Sequence, residues 1–189
     1  MAKYPNSDAK TAAAANPYAP PQSAVADAVP ATDGPQGIGG WLLLPVIGMF
    51  VFPIRALVSL ATDYWPIFEK GIWATLTTPG TQAYHPLWAP VLVFEILFNI
   101  AFLAFELFLL YLLFTKSHRF PKMFIVFAVA NLIFVVGDAL IGNQIPAVAA
   151  SGAESMAKEI GRSFIVVAIW VPYMLVSKRV KNTFKPTAA

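Results

Sequence analysis

The stretch LWAPVLVFEILFNIAFLAFELFLLYLLF, Leu87–Phe114, carries two glutamates, one asparagine and no basic residue in an otherwise apolar run. As a helix rising ~1.5 Å per residue it is longer than the ~30 Å hydrocarbon core of a bilayer, so it is predicted to cross one. Three further apolar stretches flank it, at 41–61, 123–145 and 160–177. The last is short: Ser163–Ser177 lies between Arg162 and Lys178. Its helix is expected to begin near Ala153, with both cations snorkelling outward. The whole chain agrees, with 189 residues that are 58% hydrophobic and only 12% charged, against about 25% charge in soluble domains. A water-soluble globule is excluded, and so is cysteine chemistry, since there is no cysteine. The expected fold is all-α: a polytopic membrane protein, a four-helix transmembrane bundle over 37–185 with a disordered N-terminal tail over 1–36.

That tail contains eleven alanines and six prolines in its 36 residues and has no apolar face to offset its ordering entropy. Lys10 is followed only by Thr11 and Ala12–Ala15 before Asn16-Pro17, too short a core for a cleaved signal. The stretch Asn16–Pro21 is read as a spacer in preference to a polyproline recognition segment. Four spans put Lys3 and Lys10, the Lys116/Arg119/Lys122 loop and Lys178, Arg179, Lys181 and Lys185 on one side. Lys70, Lys158 and Arg162 fall on the other, and nine against three predicts that both termini are cytoplasmic. The opposite loop, Thr62–Pro86, gathers Trp65, Trp73 and Tyr84 close to Trp88, as at a headgroup layer. A short interfacial helix is expected near Ile67–Leu76, without a fifth span.

The informative residues are the polar ones inside the apolar stretches: Arg55; Glu95, Asn99 and Glu106; Asn131 and Asp138. Each costs several kcal/mol in hydrocarbon unless it faces protein or water. Around a helix, Asn99 lies about 40° and Glu106 about 20° from Glu95, which makes one polar stripe. Asn131 and Asp138, seven apart, form a second. Helical rise puts Arg55, Glu95 and Asp138 at one level, and Arg55 is therefore expected to pair with Asp138, Glu95 or both. The cluster Arg55, Glu95, Asn99, Asp138 and Asn131 has two readings: a buried ion pair that fixes which helices meet, which is preferred, or a relay or substrate site. Glu106 is expected near the cytoplasmic boundary, solvated and paired with the Lys116–Lys122 loop.

Other chemistry is poorly supported. His85 and His118 fall on opposite faces, and no G-x-S-x-G segment exists. Gly37, Gly39 and Gly40 lack the third glycine of a dinucleotide loop, Leu42 standing there. With Pro45, Gly48 and Pro53 they are read as a closely packed or bent first helix. No enzyme, cofactor, metal or nucleic-acid role is expected. Lys178, Arg179, Lys181 and Lys185 are candidate contacts for anionic lipid at ~1 kcal/mol each, with a topology anchor the preferred reading.

Gly39-Gly40-Trp41-Leu42, Phe120-Pro121, Asp138, Trp170-Val171-Pro172-Tyr173 and Ser177–Phe184 together resemble a family of bacterial inner-membrane proteins that bear a domain of unknown function. The resemblance covers 37–185 and implies four helices in a bacterial inner membrane, with no activity, ligand or cofactor to carry over. The expectation is an integral protein whose partners are the bilayer and other membrane subunits or itself, serving as a non-catalytic accessory or assembly component. The alternative is a small transporter or ion pathway using Glu95, Asp138 and Arg55; it requires a water-accessible cavity, where an accessory role permits a dry bundle.

Overall fold

The computed structural model describes residues 34–185, so the tail read over 1–36 lies almost wholly outside the described residues. Within them the chain is helical, with α1 (Gly40–Glu69), α2 (Ile72–Thr77), α3 (Trp88–Phe114), α4 (Phe120–Gly142), α5 (Pro146–Val176) and α6 (Lys178–Thr183). Four helices are long and apolar enough to cross a membrane: α1, α3, α4 and Glu154–Val176 within α5. This is the architecture of a multi-pass membrane protein. Residues such as Leu97, Ile133 and Val176, each more than 60% exposed, form the outer surface that lipid would cover.

Boundaries follow local chemistry. Proline opens α4 at Pro121 and α5 at Pro146, where a missing N–H costs nothing, and Ile145 before Pro146 is extended as proline requires. α5 therefore starts well before Ala153. The helix α3 ends with Ser117 N–H donating to the Leu112 carbonyl and Lys116 N–H to that of Leu113. This is a Schellman turn with a lysine, φ 49°, where glycine is usual. The helix α1 runs eight residues past the expected Ala61, through a wide turn over Leu60–Tyr64, and stops at Gly71, whose φ of 68° breaks it from α2. The interfacial helix expected near Ile67–Leu76 is thus divided between the end of α1 and α2.

The bundle has a packed end and an open end. At the packed end Leu42, Met49, Leu109, Leu113, Phe120, Met174 and Val180 form the buried core, and Phe120 stacks on Phe184 at 4.6 Å. Here the opening and closing motifs of the sequence meet. Arg179 donates from Nη1 to the carbonyls of Gln36 (3.0 Å) and Gly37 (3.5 Å), and Thr183 Oγ1 donates to Gly37. The guanidinium lies over Gly39 and Gly40, where a Cβ would come within 3.3 Å and 3.4 Å of it. Ser177 caps α6 by accepting from Val180 N–H.

Between the ends, α3 and α4 are joined by a column of phenylalanines, with Phe98 stacked on Phe134 at 3.6 Å, and Phe127 meeting Phe102 and Phe52. In lipid such packing replaces the hydrophobic drive available in water. α1 packs on α3, α3 on α4 and α4 on α5, whereas α1 and α5 scarcely touch.

Candidate functional site

A cavity of about 550 Å³ lies among the four long helices. α1 contributes Gly48, Phe52, Arg55, Ser59 and Tyr64; α3 contributes Glu95, Phe98, Asn99, Phe102 and Glu106. Phe124, Phe127, Asn131 and Asp138 come from α4, and Glu159, Arg162, Ser163, Val166 and Trp170 from α5. Exposure falls along its length. Arg55, Glu159 and Arg162 are exposed, Glu95, Asn99, Asn131 and Asp138 half-buried, and Glu106 buried at the floor.

The wide turn in α1 builds one wall. In a regular helix Ser59 and Tyr64, five residues apart, would point about 140° apart; the extra residue of a π-type turn brings both onto the cavity. Tyr64 Oη then donates to Glu95 Oε2 at 3.1 Å and accepts from Asn99 Nδ2 at 3.4 Å. Asn99 Nδ2 also donates to the Glu95 carbonyl one turn back, 2.9 Å away. A polar network thus joins Tyr64 of α1 to Glu95 and Asn99 of α3. Asp138, on α4, lines the same cavity. Asn131 Nδ2 donates to Ser163 Oγ at 3.3 Å and ties α4 to α5.

Several sequence expectations need correcting. Arg55 faces the same cavity as Glu95 and Asp138 but pairs with neither; among the described residues the one ion pair is the exposed Lys158–Glu154, at 2.7 Å. The physical reason is competition: Glu95 is engaged by Tyr64, while Arg55 sits exposed in the open part of the cavity and keeps its solvation. Glu106 is neither solvated nor paired with the Lys116–Lys122 loop. It is 1% exposed, and its Oε1 has no hydrogen-bond partner among the described residues, because the core closes below it. Gly48 is not a close-packing position: a Cβ there would meet nothing within 4 Å, since it borders the cavity. Of the proposed lipid contacts, Arg179 is committed to the Gln36 and Gly37 carbonyls, while Lys178, Lys181 and Lys185 are exposed.

Tyr64, Glu159, Arg162 and Ser163 are site residues that the sequence reading missed. Glu159, Arg162, Ser163, Val166 and Trp170 recur at helical spacing, a one-face signal that could have revealed the α5 wall. Tyr64 had no such signal, since its orientation depends on the wide turn. Among the described residues no group of three or more histidines and acids could hold a metal ion.

Residues 35–185 match the model of a family described as proteins of unknown function, DUF2569, in agreement with the resemblance carried by the two terminal motifs. No curated protein and no solved structure matches.

Proposed function

The chain belongs to the DUF2569 family, and we propose that it is a small proton-linked transporter in which the Glu95–Asp138 pair takes up and releases a proton as a cation enters or leaves the cavity. The observation that carries this reading is the cavity itself, which is lined by two acids from facing helices, Glu95 and Asp138. An accessory role needs no such cavity, whereas transport needs a route to the acids. Tyr64 and Asn99 fix the orientation of Glu95, and the exchange balances: one cation enters, one proton departs. Four acids and two arginines line the space, so its charge favours cations over anions. No step calls for covalent catalysis.

The setting we propose is a bacterial cytoplasmic membrane with both termini inside, supported by the nine-to-three asymmetry of basic residues. The packed end then faces the cytoplasm and the open end the exterior.

The test is reconstitution of the full chain into liposomes that enclose a pH-sensitive dye. With Na+, K+ or tetraethylammonium supplied outside, wild type is expected to dissipate an imposed acid-inside proton gradient, and Glu95→Gln and Asp138→Asn to abolish this while inserting at normal level. Flux equal to that of empty liposomes in correctly folded wild type, or undiminished flux in both variants, would overturn the reading. Loss of both variants from the membrane, together with stable co-purifying subunits, would favour an accessory role.

A further inference from the structure

We infer that the floor of the cavity, around Glu106, is a binding site for the charged head of a lipophilic organic cation; this names a substrate class and rests on the transport reading above. Glu106 is 1% exposed and borders the cavity, and its Oε1 has no hydrogen-bond partner among the described residues. A buried, unpartnered acid oxygen is costly, and a native structure that keeps one has a use for it. The cost is removed when a cation sits beside it.

The surroundings specify the kind of cation. The cavity's arginines, Arg55 and Arg162, are exposed and lie toward the open end. Glu106 is eleven residues beyond Glu95, or about 16 Å deeper by helical rise. At that depth the other helices line the cavity with Pro45, Gly48, Phe124, Ala128 and Trp170, none of them charged. A small hydrated ion would lose its water to aromatic and aliphatic walls. A cation whose charge is screened by its own hydrocarbon loses little, and gains ring faces from residues such as Phe102, Phe124 and Trp170. The volume of about 550 Å³ suits an organic molecule of drug size. Access suits an apolar body too: α1 and α5 both border the cavity yet scarcely touch, so its wall is thinnest there, between two lipid-facing helices.

The probe is tetraphenylphosphonium, with tetraphenylborate as a control of the same shape and opposite charge, titrated into the full chain in detergent micelles by calorimetry. Saturable binding of the phosphonium is expected, with none of the borate. Glu106→Gln should weaken it by about tenfold or more, while Lys178→Ala, at an exposed position outside the cavity, binds as wild type does. Should Glu106→Gln fail to fold, wild type alone decides: labelling of Glu106 by a hydrophobic carbodiimide, mapped by mass spectrometry, should be blocked by the phosphonium and not by the borate. No saturable binding, equal binding of both ions, or labelling unaffected by the phosphonium would overturn the site. Failure of the proton reading is seen separately, as absent proton flux in liposomes with phosphonium binding intact.

Discussion

The hydroxyl of Tyr64 donates to Oε2 of Glu95 across 3.1 Å, joining a wide turn late in α1 to the first turns of α3. Asn99 donates to the same hydroxyl, so Tyr64 is both donor and acceptor between two side chains of α3. Tyr64→Phe removes these bonds and little volume. The expected cost is about 1 kcal/mol of stability, read as a lower thermal midpoint in detergent, with proton flux reduced because Glu95 loses its orienting partner. An unchanged midpoint and unchanged flux would show that the contact is idle.

The wide turn itself can be tested by inserting one alanine after Ala61. The added residue swings Tyr64 by about 100° away from Glu95 while the apolar surface of α1 before it is kept. The lengthened chain should insert normally and show the flux defect of Tyr64→Phe or a larger one. Wild-type flux after the insertion would deny the phase set by the turn any role in the site.

Gly48 separates folding from transport. With nothing within 4 Å of its would-be Cβ, Gly48→Ala should raise stability by up to about 1 kcal/mol through helix propensity alone. Gly48→Leu places a branched side chain into the cavity above its floor and should block flux in a protein at least as stable as wild type. Normal flux in Gly48→Leu would mean that nothing passes this part of the cavity.

At the packed end, Arg179→Ala removes the bonds to the Gln36 and Gly37 carbonyls and uncovers Gly39 and Gly40. A loss of about 1 kcal/mol is expected for a charged donor bound to one exposed and one half-buried carbonyl, against less than about 0.5 kcal/mol for the exposed Lys178→Ala or Lys181→Ala. Equal effects at all three positions would show that Arg179 is only one more basic flank.

Much of this architecture is legible in the sequence, for physical reasons. Hydrocarbon demands long apolar helices, so four of them are counted directly; helical geometry puts Glu95 and Asn99 on one stripe, and the rise per residue puts Asp138 at the level of Glu95. What escapes is whatever depends on phase or competition. The turn at Leu60–Tyr64 adds a residue that no sequence pattern marks, so by sequence Tyr64 falls in a loop. Depth alone pairs Arg55 with the acids, because the sequence does not show that Tyr64 already holds Glu95. Distance from the membrane edge puts Glu106 in water, because it carries no sign of a core that seals below it. The link between Arg179 and Gly39–Gly40 shows why the two terminal motifs occur together, which their separation along the chain conceals.

The central claim is that water reaches the carboxyls inside the bundle, and single-cysteine accessibility tests it most directly, because the chain has no cysteine of its own. Ser59→Cys and Ser163→Cys border the cavity, whereas Leu97→Cys and Ile133→Cys point outward, at positions 61% and 68% exposed in the protein alone and covered by lipid in a membrane. A water-soluble, membrane-impermeant thiol reagent needs the thiolate, which forms only where water penetrates. In intact membranes the two cavity positions should label and the two outward positions should not. Labelling of none of the four, or of Leu97→Cys and Ile133→Cys as readily as the others, would contradict the account.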